Sequence, residues 1–568
     1  MRAPTLLLLQ LLLGYGLASV GFLFGVPIGP WQFWVTLAAT VGAAFLSSRR
    51  TGFVLLALEV PVALLTFFTF TYTHIDASIF HLPLSHFLVD GWNPVREGTV
   101  ETVRALFAAH GVADIENSTV FHMLVDPKFG QILAAQFQSA FGLFTALGYP
   151  MWSLHLVLGV TAYRFARAVW KASAPIAVGF AALMGANPII AAGSFGGMAD
   201  LVTYDAVATA ALALGLWKTS RRAEELVVFF GAIVVSLVSK FSGIPSVAVL
   251  LALAAVLGWR ERAMRLGALV FVLSLAVFCI LPYWTWQSPP VDLTSNFGGN
   301  ADAERMGFCA RFVYAWVSKP LAVWGCKVYY GLASFNPVWP VSVSTGGESP
   351  LYRAVLWSGA ILALVLRSSR RQVAIWIAWT LLLTLFLLPV KYTGYTRYVA
   401  QVHAVVVLLW FGIAFALPRR PQLVLLACCG IEAVLYFKGF VGDWIGQLRD
   451  EGVRQRNLET IATSGTPYEV SAGFCWWKYD IAARMAFSGV RLSETPTGRK
   501  LKIGWMFRLE GEGLDEGKGA LFRGADARFP SPLRKRRGAD HFGHDPAPLD
   551  GYPPLILQSV DVTADDNP

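Results

Sequence analysis

Apolar runs of spanning or near-spanning length recur along the chain at about 4–25, 31–47, 53–73, 149–166, 174–192, 202–217, 225–239, 243–259, 265–285, 353–367, 373–390, 399–417 and 421–437. A hydrocarbon core roughly 30 Å thick needs about 20 such residues in a helix. Each run predicts an α-helix, and together they predict an all-α polytopic membrane protein with about thirteen transmembrane helices. Several runs are short, so their ends are soft by a few residues.

The connections supply an independent test, because short cytoplasmic loops collect Lys and Arg. Arg49-Arg50, Arg164 with Arg167 and Lys171, Lys218 with Arg221-Arg222, Arg260 with Arg262 and Arg265, Arg367 with Arg370-Arg371, and Arg419-Arg420 all fall on one face of an alternating count from Met1. That face is predicted to be cytoplasmic. The other face then receives the loop 74–148, the short loop around 193–201, the loop 286–352, the short loop 391–398 and the tail. Residues 1–438 form the transmembrane part, and 439–568 a small non-cytoplasmic C-terminal domain. An odd number of spans puts that domain outside.

Within the first large loop, Ala77–Asp90, Val100–His110 and Phe129–Leu147 carry apolar residues at helical spacing with polar residues between. They read as helices lying in the interface plane, and a small soluble cap with its own core is the alternative. In the tail, Trp476-Trp477, Tyr479 and Phe487 predict a folded unit to about residue 510. Beyond that point Gly, Pro, Arg and Asp dominate and predict partial disorder.

Composition narrows the class further. Of 568 residues, 55% are hydrophobic and only 14% charged, a balance a soluble fold could not expose without aggregating. The net charge of +10 is broken into short clusters between apolar runs, without the aromatic-interleaved basic stripe of a nucleic-acid binder. Six cysteines without C-x-x-C spacing argue against a structural zinc site. Cys428 and Cys429 read as core, and Cys309 and Cys326 share an outer loop where a bridge is permitted. Met1-Arg2 before the run Leu6 to Phe24 could be a cleavable signal, but further spans and no clear cleavage site favour a retained signal-anchor. The chain has no GxGxxG, no phosphate loop, no H-E-x-x-H and no long-period repeat. No ionisable residue is read near the bilayer midplane.

The outer face holds the candidate chemistry. After the third run stand His74-Ile-Asp76 and then Phe80-His81-Leu-Pro83. A carboxylate at the mouth of a span can act as a base on a substrate delivered from the lipid surface. Asp76 is that residue, with His74 and His81 placed to orient it, position a hydroxyl or join it on a divalent ion. Helix capping by Asp76 is the plain alternative, and a rigid cap is also a well-aimed base.

Further along come Asn187-Pro188, then Asp200, Tyr204 and Asp205 at the head of the next helix. Five residues apart, only one of Asp200 and Asp205 is expected to face Asp76. Lys240, in Ser239-Lys-Phe-Ser-Gly243-Ile-Pro245, separates two short runs and suggests a broken hairpin re-entering from outside. Lys391 and Arg397 lie among tyrosines on that same face. These three cations would suit a phosphate at membrane level, and interfacial snorkelling is the alternative. Phe335-Asn336-Pro337 is a rigid aromatic turn that could contact a sugar or pack its loop. The sequon Asn117-Ser-Thr119 matters only in a glycosylating secretory pathway.

The order of these motifs resembles the GT-C superfamily of membrane glycosyltransferases, which use polyprenyl-phosphate-linked sugars. The residues that carry it are His74-Ile-Asp76, Phe80-His81-Leu-Pro83, Gly91-Trp-Asn-Pro94, Ala186-Asn-Pro188 leading to Asp200, Lys240-Phe-Ser-Gly243, Phe335-Asn-Pro337 and Thr396-Arg-Tyr398. They cover roughly residues 53–417.

The resemblance implies that Asp76 is the general base, while Lys240, Lys391 and Arg397 hold the lipid phosphate. It implies that His74, His81, Asn187, Asp200, Tyr204 and Asn336 contact substrate. A sugar would pass from a polyprenyl-phosphate carrier to a glycan, lipid or protein acceptor on the periplasmic face of a bacterial inner membrane. No cofactor is fixed, since use of Mg or Mn varies among such enzymes. The chain departs from the family in three ways: a single acidic residue in place of an Asp-Asp or Asp-Glu pair, an acidic loop after the third span in place of the first, and a tail without counterpart. The tail is expected to bind acceptor or an envelope-assembly partner. A lipid-linked glycan transporter or flippase, a polysaccharide polymerase or ligase, and a non-catalytic glycan-binding scaffold are the competing readings.

Overall fold

A computed structural model of the chain describes residues 2–67, 81–109, 127–143, 146–185, 199–240, 243–275 and 401–428, a few isolated positions between and after them, and three short strands in the tail. Up to residue 434 the described residues are helices and their connecting turns, so the all-helical reading holds there.

The helices are α1 Ala3–Leu23, α2 Pro30–Ser47, α3 Arg49–Phe67, α4 Leu82–Val89, α5 Val100–Ala109, α6 Phe129–Phe141, α7 Gly148–Val169, α8 Ala174–Gly185, α9 Ala199–Ser220, α10 Ala223–Ser239, α11 Ile244–Gly258, α12 Arg262–Leu275 and α13 Gln401–Ala416. By length and apolarity, two helices among the described residues can cross a membrane, α1 and α3, and α8 and part of α11 are apolar but shorter. In the tail, β1 Glu469–Val470 pairs in parallel with β2 Lys500–Gly504, which pairs antiparallel with β3 Arg508–Glu510. These strands fall inside the segment predicted to fold, though nothing in its pattern announced a sheet.

Local chemistry sets the helix ends. Proline opens α1, α2, α4 and α11, where its missing N–H costs nothing. Ser48 Oγ accepts the Thr51 N–H at 3.0 Å ahead of α3, and Thr99 Oγ1 accepts the Thr102 N–H at 3.1 Å ahead of α5. Gly142, at φ +66, closes α6 in the left-handed region, donating to Gln138 O at 2.7 Å.

Helix α1 is the hub, packing on α2, α3, α6, α7 and α10. A second group builds on α9, which packs against α7, α10, α11 and α13. Apolar side chains face outward as well as inward: Phe53, Leu64 and Phe67 on α3, and Leu266, Leu269 and Leu273 on α12, are exposed.

One end of the bundle gathers the cations. Arg2 and Arg164 both bind the Glu225 carboxylate, and the Arg2 backbone N–H donates to Glu224, which also accepts from Thr5 Oγ1 at 3.0 Å. Arg221 pairs with Glu261 at 3.0 Å and lies over the Trp217 ring. The start of α1, the ends of α7 and α9, and the α9–α10 and α11–α12 turns therefore share a face. At the opposite end, Asn93 Nδ2 donates to Phe22 O at 2.9 Å and Arg96 to Leu23 O at 3.2 Å, fixing the loop that carries α4 and α5 to the far end of α1.

Two of the expected features are placed by the packing. A Cβ built on Gly243 would lie 2.9 Å from Thr203 Cγ2, and one on Gly258 would lie 2.8 Å from Trp217 Cζ3. Helix α11 thus runs alongside α9 for about 22 Å at 1.5 Å per residue. The break at Lys240 is a turn between α10 and α11, at the end of the bundle that holds the first turns of α9. Helix α6, for its part, is buried on every side from Gln131 to Gln138, so it is enclosed by the bundle and does not lie along a surface.

Candidate functional site

Of the residues expected to act, His81, Tyr204 and Lys240 are described with their surroundings, and Asp200 by its place in the first turn of α9. His74, Asp76, Asn187, Asn336, Lys391 and Arg397 lie outside the described residues, as do Cys309 and Cys326. Cys428 is half-buried and carries a free thiol.

His81 immediately precedes α4. Its ring is buried, with Nδ1 2.5 Å from the Gln131 side-chain amide, which fixes the ring's orientation. The same pattern recurs farther along both segments: Gln138 reaches His86 Nδ1 at 3.5 Å, and His86 Nε2 faces Asp90 at 3.4 Å. Gln136 turns the other way and donates to Gly14 O at 2.8 Å. The glutamines of α6 account for its burial, because each amide finds a partner on α4 or α1.

Tyr204 is fully buried and donates its hydroxyl to Met184 O at 2.6 Å. One residue on, Asp205 is also fully buried, with its two oxygens 3.2 and 3.4 Å from His155 Nδ1 on α7. The His155 ring also bonds to the Gly185 backbone. In the last described turn of α8 the Met184 carbonyl accepts from Tyr204, and the Gly185 backbone meets the His155 ring.

A Cβ on Gly243 would also overlap Ser236 Oγ, so the Lys240–Gly243 turn is pressed against Thr203 at the head of α9. Gly243 N–H donates to Lys240 O at 3.2 Å and closes the turn. The end of α8, the first turns of α9 and the Lys240 turn therefore meet at one place at the far end of the bundle. The assignment of Tyr204 as a substrate contact is met by a side chain already committed to a carbonyl, which suits positioning better than recognition.

Two ionisable groups escaped the sequence reading. His155–Asp205 pairs residues fifty apart in the chain, which spacing cannot reveal. Glu59 stands inside α3, ten residues from Arg49, and Gln10 bonds to its carboxyl. Glu59, inside an apolar run, bears on the expectation that no ionisable residue lies near the bilayer midplane. The signal that could have found both is a charged residue inside an apolar run. Comparison of the chain with protein-family models, with curated proteins and with solved structures finds no match.

Proposed function

We propose that the chain is a polytopic membrane glycosyltransferase of GT-C type, moving a sugar from a polyprenyl-phosphate carrier to an acceptor on the periplasmic face. Apolar residues exposed on α3 and α12, with the Arg and Lys clusters gathered at one end of the helices, support the membrane orientation. In this reading the cation-rich end is cytoplasmic, and α4, α5 and the Lys240 turn lie on the periplasmic side. The observation that carries the proposal is the meeting of the last described turn of α8, the first turns of α9 and the Lys240 turn, which border two motifs of the resemblance drawn from separate stretches of sequence.

Asp76 is then the base that takes the acceptor proton, and Lys240 with Lys391 and Arg397 receives the phosphate leaving group. His155, Asp205 and Tyr204 position the segment bearing Asn187. A strain lacking the protein tests this. It should accumulate lipid-linked sugar and lose one envelope glycan; wild-type protein should restore that glycan, and Asp76→Asn at equal membrane abundance should not. Restoration by Asp76→Asn would reject the transfer reaction.

Glu59 and the His155–Asp205 pair favour a second reading, transport of a lipid-linked glycan, because ionisable groups deep among helices are what a coupled carrier uses. There Glu59→Gln, and not Asp76→Asn, would abolish delivery of the glycan.

A further inference from the structure

The Glu59 carboxyl sits in a cluster that the transfer chemistry does not use. Gln10 on α1 joins its members: Nε2 donates to the Tyr149 hydroxyl at 2.8 Å, Oε1 accepts from Thr40 Oγ1 at 2.8 Å, and the amide also bonds to the Glu59 carboxyl. Gln10, Thr40 and Tyr149 are all buried. Ser153, wholly buried one turn on from Tyr149 in α7, adds a hydroxyl beside that of Tyr149.

Glu59 Oε1 is buried and has no partner, and no salt bridge to Glu59 exists among the described residues. Gln10 is eight residues from Arg2, Thr40 nine from Arg49, and Glu59 ten from Arg49. At 1.5 Å per residue these positions lie about 12–15 Å from the cation-bearing end, near the middle of a span.

An anionic oxygen held there without a counter-charge is costly, and nothing in the cluster supplies one. What the cluster does supply is oxygen from four helices: a carboxylate, an amide carbonyl and three hydroxyls. All are hard ligands, and together they carry a single negative charge. Hard oxygen ligands select alkali and alkaline-earth ions over transition metals, and one charge matches a monovalent ion better than a divalent one.

We propose that Glu59, Gln10, Thr40, Tyr149 and Ser153 form a binding site for a monovalent metal cation, with Na+ the first candidate, that ties α1, α2, α3 and α7 together. The inference rests on the membrane reading of the bundle and is independent of sugar transfer.

The full chain, purified into lipid nanodiscs, is titrated with NaCl against choline chloride at constant ionic strength, reading radioactive Na+ retention and melting temperature. Saturable, stoichiometric retention with a matching rise in melting temperature is expected, absent in Glu59→Gln. Tyr149→Phe should weaken affinity about tenfold, as loss of one oxygen ligand of about 1.4 kcal/mol would. Glu59→Gln protein that stays folded keeps the test decisive, since amide and carboxyl share a shape. Retention equal in wild type and Glu59→Gln overturns the site. So does a melting temperature that follows pH while ignoring Na+ and K+, because Glu59 would then carry only a proton. Membrane glycan transfer lost through Asp76→Asn with Na+ retention intact would leave the two readings separately tested.

Discussion

Replacing Asp205 by alanine removes the acceptor that His155 faces in the interior of the bundle. Both carboxylate oxygens lie within 3.4 Å of Nδ1, and Asp205 is fully buried, while the His155 side chain keeps 20% of its exposure. Stranding one member of a fully buried pair costs about 3–5 kcal/mol. The partial exposure of His155 lets water compensate some of that loss, so the expected cost is about 2–3 kcal/mol. Asp205→Asn keeps one acceptor at the same position and loses only the charge-assisted share, about 1 kcal/mol. Reversible unfolding of the full chain in mixed micelles, followed by tryptophan fluorescence, reads both values. Alanine and asparagine variants that lose the same stability, or an alanine variant within about 0.5 kcal/mol of wild type, would refute the claim that this pair holds α7 to α9.

Other substitutions follow from the same packing. Gly243→Val should destabilise by about 1–3 kcal/mol in that assay, since its Cβ would overlap Ser236 and crowd Thr203, with Gly42→Val, whose Cβ meets nothing, as the neutral control. Gly25→Ala should cost about 1 kcal/mol or more, because φ is +76 and the Arg96 guanidinium occupies the space of its Cβ. Cysteine placed at Glu97 should react with an impermeant maleimide on intact spheroplasts, and cysteine at Glu261 only after lysis; the reverse pattern would reject the proposed orientation.

Helix positions were legible because an apolar run of given length has few alternatives to a helix. The described helices from α1 to α13 fall on the predicted runs, and α4, α5 and α6 sit where the loop periodicity put them. What the periodicity could not say is depth. Gln131, Gln136 and Gln138 look like a solvated face, yet they point to His81, Gly14 O and His86 inside the bundle, because a polar side chain is as content with a buried partner as with water. The depth of the Lys240 turn was equally illegible, since two short runs look alike wherever the turn between them lies. The positioning pair His155–Asp205 needed three dimensions, for its members come from helices that only folding brings together. The far more local head of α9, with Asp200, Tyr204 and Asp205 close in sequence, was visible from the start.

The ion-pair knot at the cation-rich end joins residues 222 and 223 positions apart, Arg2 to Glu224 and Glu225. A nascent chain therefore releases α1 long before its acidic partners leave the ribosome. Until α10 arrives, the hub has an unclosed side, and the early helices cannot complete their packing. Assembly of this bundle is accordingly a late event in synthesis, and a ribosome stalled between α7 and α10 should leave a fully inserted chain that proteases still cut at the start of α1.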